Sequence, residues 1–390
     1  MKKILILIFS TLFLSGCWSS LELDETALVY GLGLSKKNDR LLMTVEIIRP
    51  GDAGGEGAAT GESMILEIEA DTLIEASREL IRKVKRRLSW EHNRLWVVNK
   101  ELAEDQDFIG ALDSGRRDEM FRINSYLFIT EDDPIDILST PTLYNDLTSG
   151  EIVSALGQER FLSGFADVRF YDLFKHLEGP LPYAYLPMIK KVEDRQQSNT
   201  EINGTAVFKD GKMVGELTNR ETIGLNVLHN QAEGGYTHID EKDGKVSLEI
   251  LTSETTIEPS LQGDELEVDI NVDIQATLAD NSTNVDVTEE WIRQIEEKKS
   301  QSGKKRIERV LEKLQKEYKT DITGIGIETY QTYPKEWKRV KDDWDDIFSK
   351  ANISIDVTTN IDHQGLIHRN VEKNYERPFN NPYQFWMDRK

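Results

Sequence analysis

The sequence predicts an α+β protein of mixed α/β composition, with two or three domains, each a mostly antiparallel sheet packed by helices. Three observations predict it. Short apolar runs come in pairs joined by polar turns, apolar stripes at helical spacing lie between them, and strands and helices do not alternate as a doubly wound parallel sheet requires.

The chain opens on Met1-Lys2-Lys3, a short positive start, followed by an apolar run from Ile4 to Leu14 interrupted only by Ser10 and Thr11. This is the layout of a secretory signal peptide. The run is about 11 residues long, whereas a helix crossing a ~30 Å hydrocarbon core needs about 20, so it is too short for a permanent anchor. Leu14-Ser15-Gly16-Cys17 then fits the bacterial lipobox, in which an apolar residue and two small ones precede a cysteine able to carry a diacylglyceryl thioether. Cleavage is expected between Gly16 and Cys17, removing residues 1–16, with S-diacylglycerol on Cys17 and N-acylation open to the new terminus. Two or more acyl chains attach a protein to a membrane stably.

Thr26 to Leu34 and Leu41 to Ile48 read as a hairpin around the polar stretch Ser35 to Arg40, and Gly51 to Gly61, rich in glycine, reads as a mobile loop. Met64, Leu66, Ile68 and Ala70 alternate in a third strand. Asp71 is then placed to cap a helix carrying Leu73, Ser77, Leu80, Val84 and Leu88 on one stripe. Leu95 to Val98 and Asn124 to Thr130 are short strands, and Pro134 to Lys175 reads as short helices and turns, ended by Gly179-Pro180-Leu181-Pro182. After an extended Tyr185 to Val192, Glu193 to Thr200 offers no apolar side chain and is expected to be a linker. The predicted domains are therefore 17–195, with 179–195 as a connecting segment, and 196–390, itself divisible.

The second half opens with Gly204 to Phe208 and Met213 to Leu217 around Asp210-Gly211, a strong hairpin signal, and Thr218 is placed to cap a helix through Leu228. Leu266, Val268, Ile270, Val272, Ile274, Ala276 and Leu278 alternate with polar residues, predicting a strand buried on one face and acidic on the other. Helical spacing returns at Trp291, Ile292 and Ile295, again from Ile307 to Tyr318, and once more after Pro334 at Trp337, Val340, Trp344, Ile347 and Phe348. Ile353, Ile355 and Val357 alternate in a closing strand.

Composition excludes several function classes. Net charge is −22, and −24 once Lys2 and Lys3 are removed with the signal, which argues against nucleic acid and broad binding to anionic lipid. Cys17 is the only cysteine, so no internal disulfide forms, and a lipidated thiol is neither nucleophile nor metal ligand. P-loop, His-Glu-x-x-His and Gly-x-Ser-x-Gly patterns are absent. Gly31-Leu32-Gly33 lacks the third glycine of a dinucleotide fingerprint, Lys36 standing in its place, and reads as a close-packed strand end or turn. The histidines at 92, 176, 229, 238, 363 and 368 show no helical pairing, and no metal ligand or cofactor is assigned.

Two acidic clusters and one basic block remain. Asp342-Asp343-Trp344-Asp345-Asp346 is expected to be a solvated helix face, and Asp280 to Asp286, with Val285 where a calcium loop needs glycine, a turn. Arg82-Lys83-Val84-Lys85-Arg86-Arg87 stands at a helix C-terminus, where the dipole favours cations. The alternative is that Arg82, Lys83, Lys85, Arg86 and Arg87 form a docking patch for an acidic partner.

Leu14 to Trp18 followed by Glu22-Leu23-Asp24-Glu25-Thr26-Ala27-Leu28-Val29-Tyr30-Gly31-Leu32-Gly33 resembles the mature start of the Ger(x)C family, the lipoprotein C subunits of spore germinant receptors. Gly204 to Gly215 resembles that family's second-domain hairpin, and Tyr333-Pro334-Lys335-Glu336-Trp337, with Trp344 and Phe348, its late helix. The segment Asp321 to Ile327 departs from the glycine-phenylalanine-glycine-like ending more usual there. The resemblance implies a non-enzymatic subunit of a receptor complex on the outer face of the spore inner membrane. Its partners would be two multi-span membrane subunits, and nutrients would trigger germination. In that family the nutrient pocket is attributed to the transporter-like subunit, so no ligand site is implied here.

Two other classes compete. A lipid-anchored extracytoplasmic solute-binding protein would need an aromatic and polar cleft between domains. A hydrolase would need paired carboxylates about 5 to 9 Å apart in a cleft.

Overall fold

β1 (Thr26–Lys37) and β2 (Arg40–Ile48) close on Asn38 and Asp39 at φ 51° and 59°, the left-handed pair that a two-residue hairpin turn demands. They belong to a computed structural model that describes residues 25–48, 63–117, 121–145, 147–159, 163–194, 197–232 and 234–362. The signal, the lipobox and the expected loop at 51–61 lie outside the described residues, as do His363 and His368.

β3 (Ser63–Ala70) pairs antiparallel with β2, and α1 (Leu73–Val84) follows. The cap falls one residue later than expected: Thr72 Oγ1 accepts from Glu75 N, while Asp71 N donates to Glu75 Oε2. Leu88, expected on this helix, lies instead in β4 (Arg87–Ser89), parallel to β1, because Lys85 ends α1 in the left-handed conformation. β5 (Leu95–Asn99) and β6 (Tyr126–Thr130) are parallel to each other, and β5 is parallel to β1. Their continuous apolar runs suit strands covered on both faces. On one face lie α1, α3 (Phe108–Arg117) and α6 (Phe170–Leu177), burying Leu73, Phe108 and Phe170 around Trp96. On the other lie α4 (Pro134–Leu138) and α5 (Thr148–Glu159), burying Leu138 and Leu156 against Val97 and Phe128. The one-turn α2 (Lys100–Ala103) follows β5 directly.

Gly31 and Gly33, expected at a strand end or turn, sit mid-strand in β1. A Cβ on Gly33 would stand 2.5 Å from Pro134 Cβ, and one on Gly31 2.9 Å from Leu138 Cδ2. The glycines thus let α4 rest on the strand backbone.

β7 (Tyr183–Asp194), β8 (Gln197–Lys209) and β9 (Lys212–Leu217) complete a sheet ordered β3-β2-β1-β5-β6-β7-β8-β9, parallel at its centre and antiparallel at both wings. The expected linker is corrected here. Lys191 pairs with Thr200 and Asp194 with Gln197, so residues 191–194 and 197–200 are the paired strand ends at the tip of the β7–β8 hairpin. The tip is solvated, and polar residues pair there without the alternation that identifies a half-buried strand. The boundary expected at 195/196 cuts this hairpin, and β8 and β9 finish the first sheet.

Thr218 caps α7 (Asn219–Leu228) in a reciprocal box with Glu221, as the sequence predicts. The second sheet runs β10 (Tyr236–Glu241), β11 (Gly244–Gln262), β12 (Glu265–Asn281) and β13 (Asn352–Asp362), the last pair parallel. Every predicted apolar position of β12 is buried, and the alternate residues face solvent. α8 (Glu289–Glu312) packs on this sheet and passes into a wider turn, Lys313–Tyr318. The closing helices are α9 (Ile325–Thr332), α10 (Pro334–Val340) and α11 (Trp344–Lys350). The stripe Trp337, Val340, Trp344, Ile347 and Phe348 is buried throughout, although a tight turn at Lys341–Asp343 interrupts the helix. One apolar cluster runs from Val29 and Leu32 through Phe208 to Ile270 and Val357, joining both sheets.

Candidate functional site

Where the first sheet meets α7 and the closing helices, the interior turns polar. The loop between the Lys313–Tyr318 turn and α9 folds around Asp321. Its Oδ1 accepts from Thr323 N at 3.0 Å and Thr323 Oγ1 at 2.6 Å, and its Oδ2 from Gly326 N at 2.7 Å and Trp344 Nε1 at 3.0 Å. Burial pushes the Asp321 pKa up, and the four donors pull against that shift. A Cβ on Gly326 would stand 2.4 Å from Leu181 Cδ1, 2.8 Å from Asp321 Oδ2 and 2.9 Å from Trp344 Nε1, so the first turn of α9 packs against Leu181, just ahead of β7, with no room for a side chain.

Tyr185 of β7 lies between two imidazoles. His176, from α6, stacks at 5.3 Å and 23°, and His229, at the C-terminal end of α7, at 5.2 Å and 22°. His229 Nε2 lies 2.7 Å from Ile322 O, and since a carbonyl only accepts, that nitrogen carries the proton. Desolvation holds both imidazoles below their ordinary pKa and pushes the Tyr185 hydroxyl up. Nearby, Tyr183 Oη and Lys209 Nζ both donate to Asp345. Asp342, Asp343 and Asp346 are exposed, as expected of a solvated face, but Asp345 is corrected: it ties α11 to β7 and β8.

This arrangement couples elements. It joins α6, β7, α7, the 320–326 loop and α11 through ring stacking and hydrogen bonds, with His176 Nδ1 buried and unpartnered. A pH dependence follows, since histidines kept neutral in the fold make the unfolded chain the better proton acceptor. Their contribution is complete above about pH 6.5 and is lost as pH falls, at up to about 1.4 kcal/mol per pH unit for each imidazole. The urea midpoint should fall between pH 7.5 and 5.5, and His229→Gln should flatten that slope; equal slopes would remove His229 from the effect.

The remaining residues singled out in the sequence do not join this junction. Arg82 pairs with Glu79 at 2.8 Å, Lys83 Nζ donates to Glu67 O at 2.6 Å, and Arg82, Lys83, Lys85 and Arg87 are exposed at the edge near β4. In the Asp280 to Asp286 stretch Asn281 Oδ1 accepts from Thr283 N and Oγ1, forming a turn. Among the described residues no group of three or more His, Cys, Asp or Glu is placed to hold a metal ion. Arg116, Ile123, Tyr171, Phe174, Lys175 and Glu178 line a cleft of about 400 Å³ on α3 and α6. It lies beside the first sheet, and Arg116 spans it, 4.4 Å above the Phe174 ring and 2.5 Å from Glu178. Sequence reading missed the His176–Tyr185–His229 stack, because its members come from three elements with no shared spacing.

Comparison with known proteins places the same two halves side by side. A spore germination protein N-terminal domain model matches residues 19–191, and a spore germination B3/GerAC-like C-terminal model matches residues 203–365. The two matches meet at the β7–β8 hairpin. The chain is 24% identical to spore germination protein KC of Bacillus subtilis (strain 168) over 95% of this chain and 97% of that one. It is 27% identical to spore germination protein A3 of the same organism, over 92% and 96%. A crystal structure of the GerBC protein shares the fold, with TM-score 0.57 and 20% identity, covering 85% of this chain and 96% of that one.

Proposed function

Because the chain belongs to the Ger(x)C family of spore germination proteins, we propose that it is the lipid-anchored, non-enzymatic subunit of a nutrient germinant receptor in the spore inner membrane. The observation that carries this reading is the lipobox cysteine Cys17 at the head of a chain related to germination proteins over nearly its whole length. Among the described residues no helix is long and apolar enough to cross a membrane. In this reading the lipid on Cys17 supplies the attachment.

The partners are two multi-span membrane subunits. Confinement to their membrane raises the effective concentration of the folded sheets beside them, and that proximity is what the anchor contributes. The exposed cations Arg82, Lys83, Lys85 and Arg87, with Arg86 between them, offer an edge to an acidic partner surface.

Replacing Cys17 with alanine tests the anchored role. The protein should leave the spore membrane fraction, pull-down should no longer recover the two membrane subunits, and the nutrient response should be lost. Normal germination to every nutrient, with normal receptor levels, would overturn it.

A further inference from the structure

α8 turns an apolar stripe toward the second sheet, with Ile292, Ile295, Gly303, Ile307 and Val310 buried, and Lys299 interrupts it. Lys299 is only 4% exposed. It falls at a seam between two apolar clusters, with Ile295 beside Val246 and Ala276 on one side and Ile274, Ile307 and Val357 on the other. Arg306 is seven residues on, which on an α-helix drifts only ~20°, so both cations share one face. Among the described residues neither side chain has a carboxylate or other hydrogen-bonding partner.

The surroundings add positive charge and an orphan hydroxyl. Burial and the nearby Arg306 bring the Lys299 amine down to about 8. Arg306 is itself lowered by burial and by Arg220 and Arg309, which lie near enough to repel it. α7 carries Arg220 and crosses α8 closely: a Cβ on Gly224 would stand 3.4 Å from Arg306 Cγ. On the sheet side Ser253 of β11 pairs with Ile274 of β12, and paired residues project to the same face. Ile274 Cδ1 is 3.7 Å from where a Cβ on Gly303 would sit, one turn from Lys299, so Ser253 belongs to the same layer. Its Oγ is buried without a partner.

A buried cation is ordinarily neutralised, and a chain of net charge −22 has carboxylates to spare for that purpose. Here Lys299 is given none, and the half-buried Arg306 beside it adds a second positive charge. We propose that Lys299, Arg306 and Ser253 form an anion site, with Arg220 and Arg309 at its mouth, that takes a phosphate-type oxyanion. A guanidinium fork, a point-charge amine and a hydroxyl match the several acceptors and the double charge of phosphate.

The test uses the full chain in detergent micelles, unfolded thermally in chloride and in inorganic phosphate at equal ionic strength. Phosphate should raise Tm by about 2–4 °C in the parent and leave Lys299→Met and Arg306→Gln unmoved. Lys299→Met replaces a buried charge with an unbranched apolar side chain and should be at least as stable as the parent in chloride, which separates a lost site from a lost fold. Broadening of the phosphorus resonance of phosphate by the parent but neither variant gives a readout independent of unfolding. Phosphatidate doped into the micelles distinguishes the source: a rise there alone assigns a lipid headgroup, and a rise with inorganic phosphate a soluble ligand. A rise of equal size in the parent and Lys299→Met, or none with either form of phosphate, overturns the site.

Discussion

Asp321→Ala should lower stability by about 3–5 kcal/mol, read as a fall in the urea midpoint at unchanged slope. Removing the carboxylate strips Thr323 N, Gly326 N and Trp344 Nε1 of their acceptor inside a site with little access to water. Each buried donor left unsatisfied costs about 1–3 kcal/mol, and partial rearrangement of the loop offsets some of the sum. Asn at this position should not rescue it. One oxygen can still serve Thr323, but the amide nitrogen then faces Gly326 N and Trp344 Nε1, donor against donor. Thr323→Val, which removes one hydroxyl and keeps the carboxylate, should cost about 1 kcal/mol. If Asp321→Ala costs no more than Thr323→Val, the carboxylate is not what holds the loop. The near-ultraviolet circular dichroism of Trp344 should weaken in Asp321→Ala and not in Thr323→Val, because only the first takes the indole's partner away.

Much of this junction could be read only in part from sequence. The Trp337 to Phe348 stripe announced a buried helical face, and it is buried even where the helix is interrupted, since burial follows side-chain position more closely than it follows an unbroken ladder. Thr218 and Glu221 announced the start of α7, because a capping box is a local hydrogen-bonding device. Asp210-Gly211 announced the β8–β9 turn for the same reason. What depended on distant partners stayed hidden. Asp345 looks like its exposed neighbours until Lys209 and Tyr183 are brought to it from more than a hundred residues away. The β7–β8 tip read as a linker because a strand end bathed in solvent on both faces has no reason to alternate. The parallel centre of the first sheet was equally hidden, since strand direction depends on where the chain returns. Gly31 and Gly33 announced a close approach, but Pro134 and Leu138 had to be in place to say of what.

Gly204→Ala should be the most damaging single methyl in the β7–β8–β9 region, costing about 3–5 kcal/mol or preventing folding. Gly204 follows a bulge in β8, where Ile202 pairs with Ile189 and Gly204 with Met188, leaving Asn203 between them. Its φ is +131°, and an added Cβ would lie 2.1 Å from Leu217 O. That atom is backbone, fixed by the pairing of Leu217 with Thr205, and the next residue is Thr218, the cap of α7. A clash there cannot be relieved by a rotamer change; it must move the start of α7, and with it His229 and the contact to Ile322. Gly263→Ala supplies the control, for its φ is +65° and a Cβ there meets nothing within 4 Å. That variant bears the backbone penalty alone, about 1 kcal/mol. The difference between the two, measured by urea unfolding, isolates the close approach of β8 to the β9–α7 corner. Equal losses would show that this corner yields freely, and the junction at Asp321 and His229 would then have to be positioned from α11 instead.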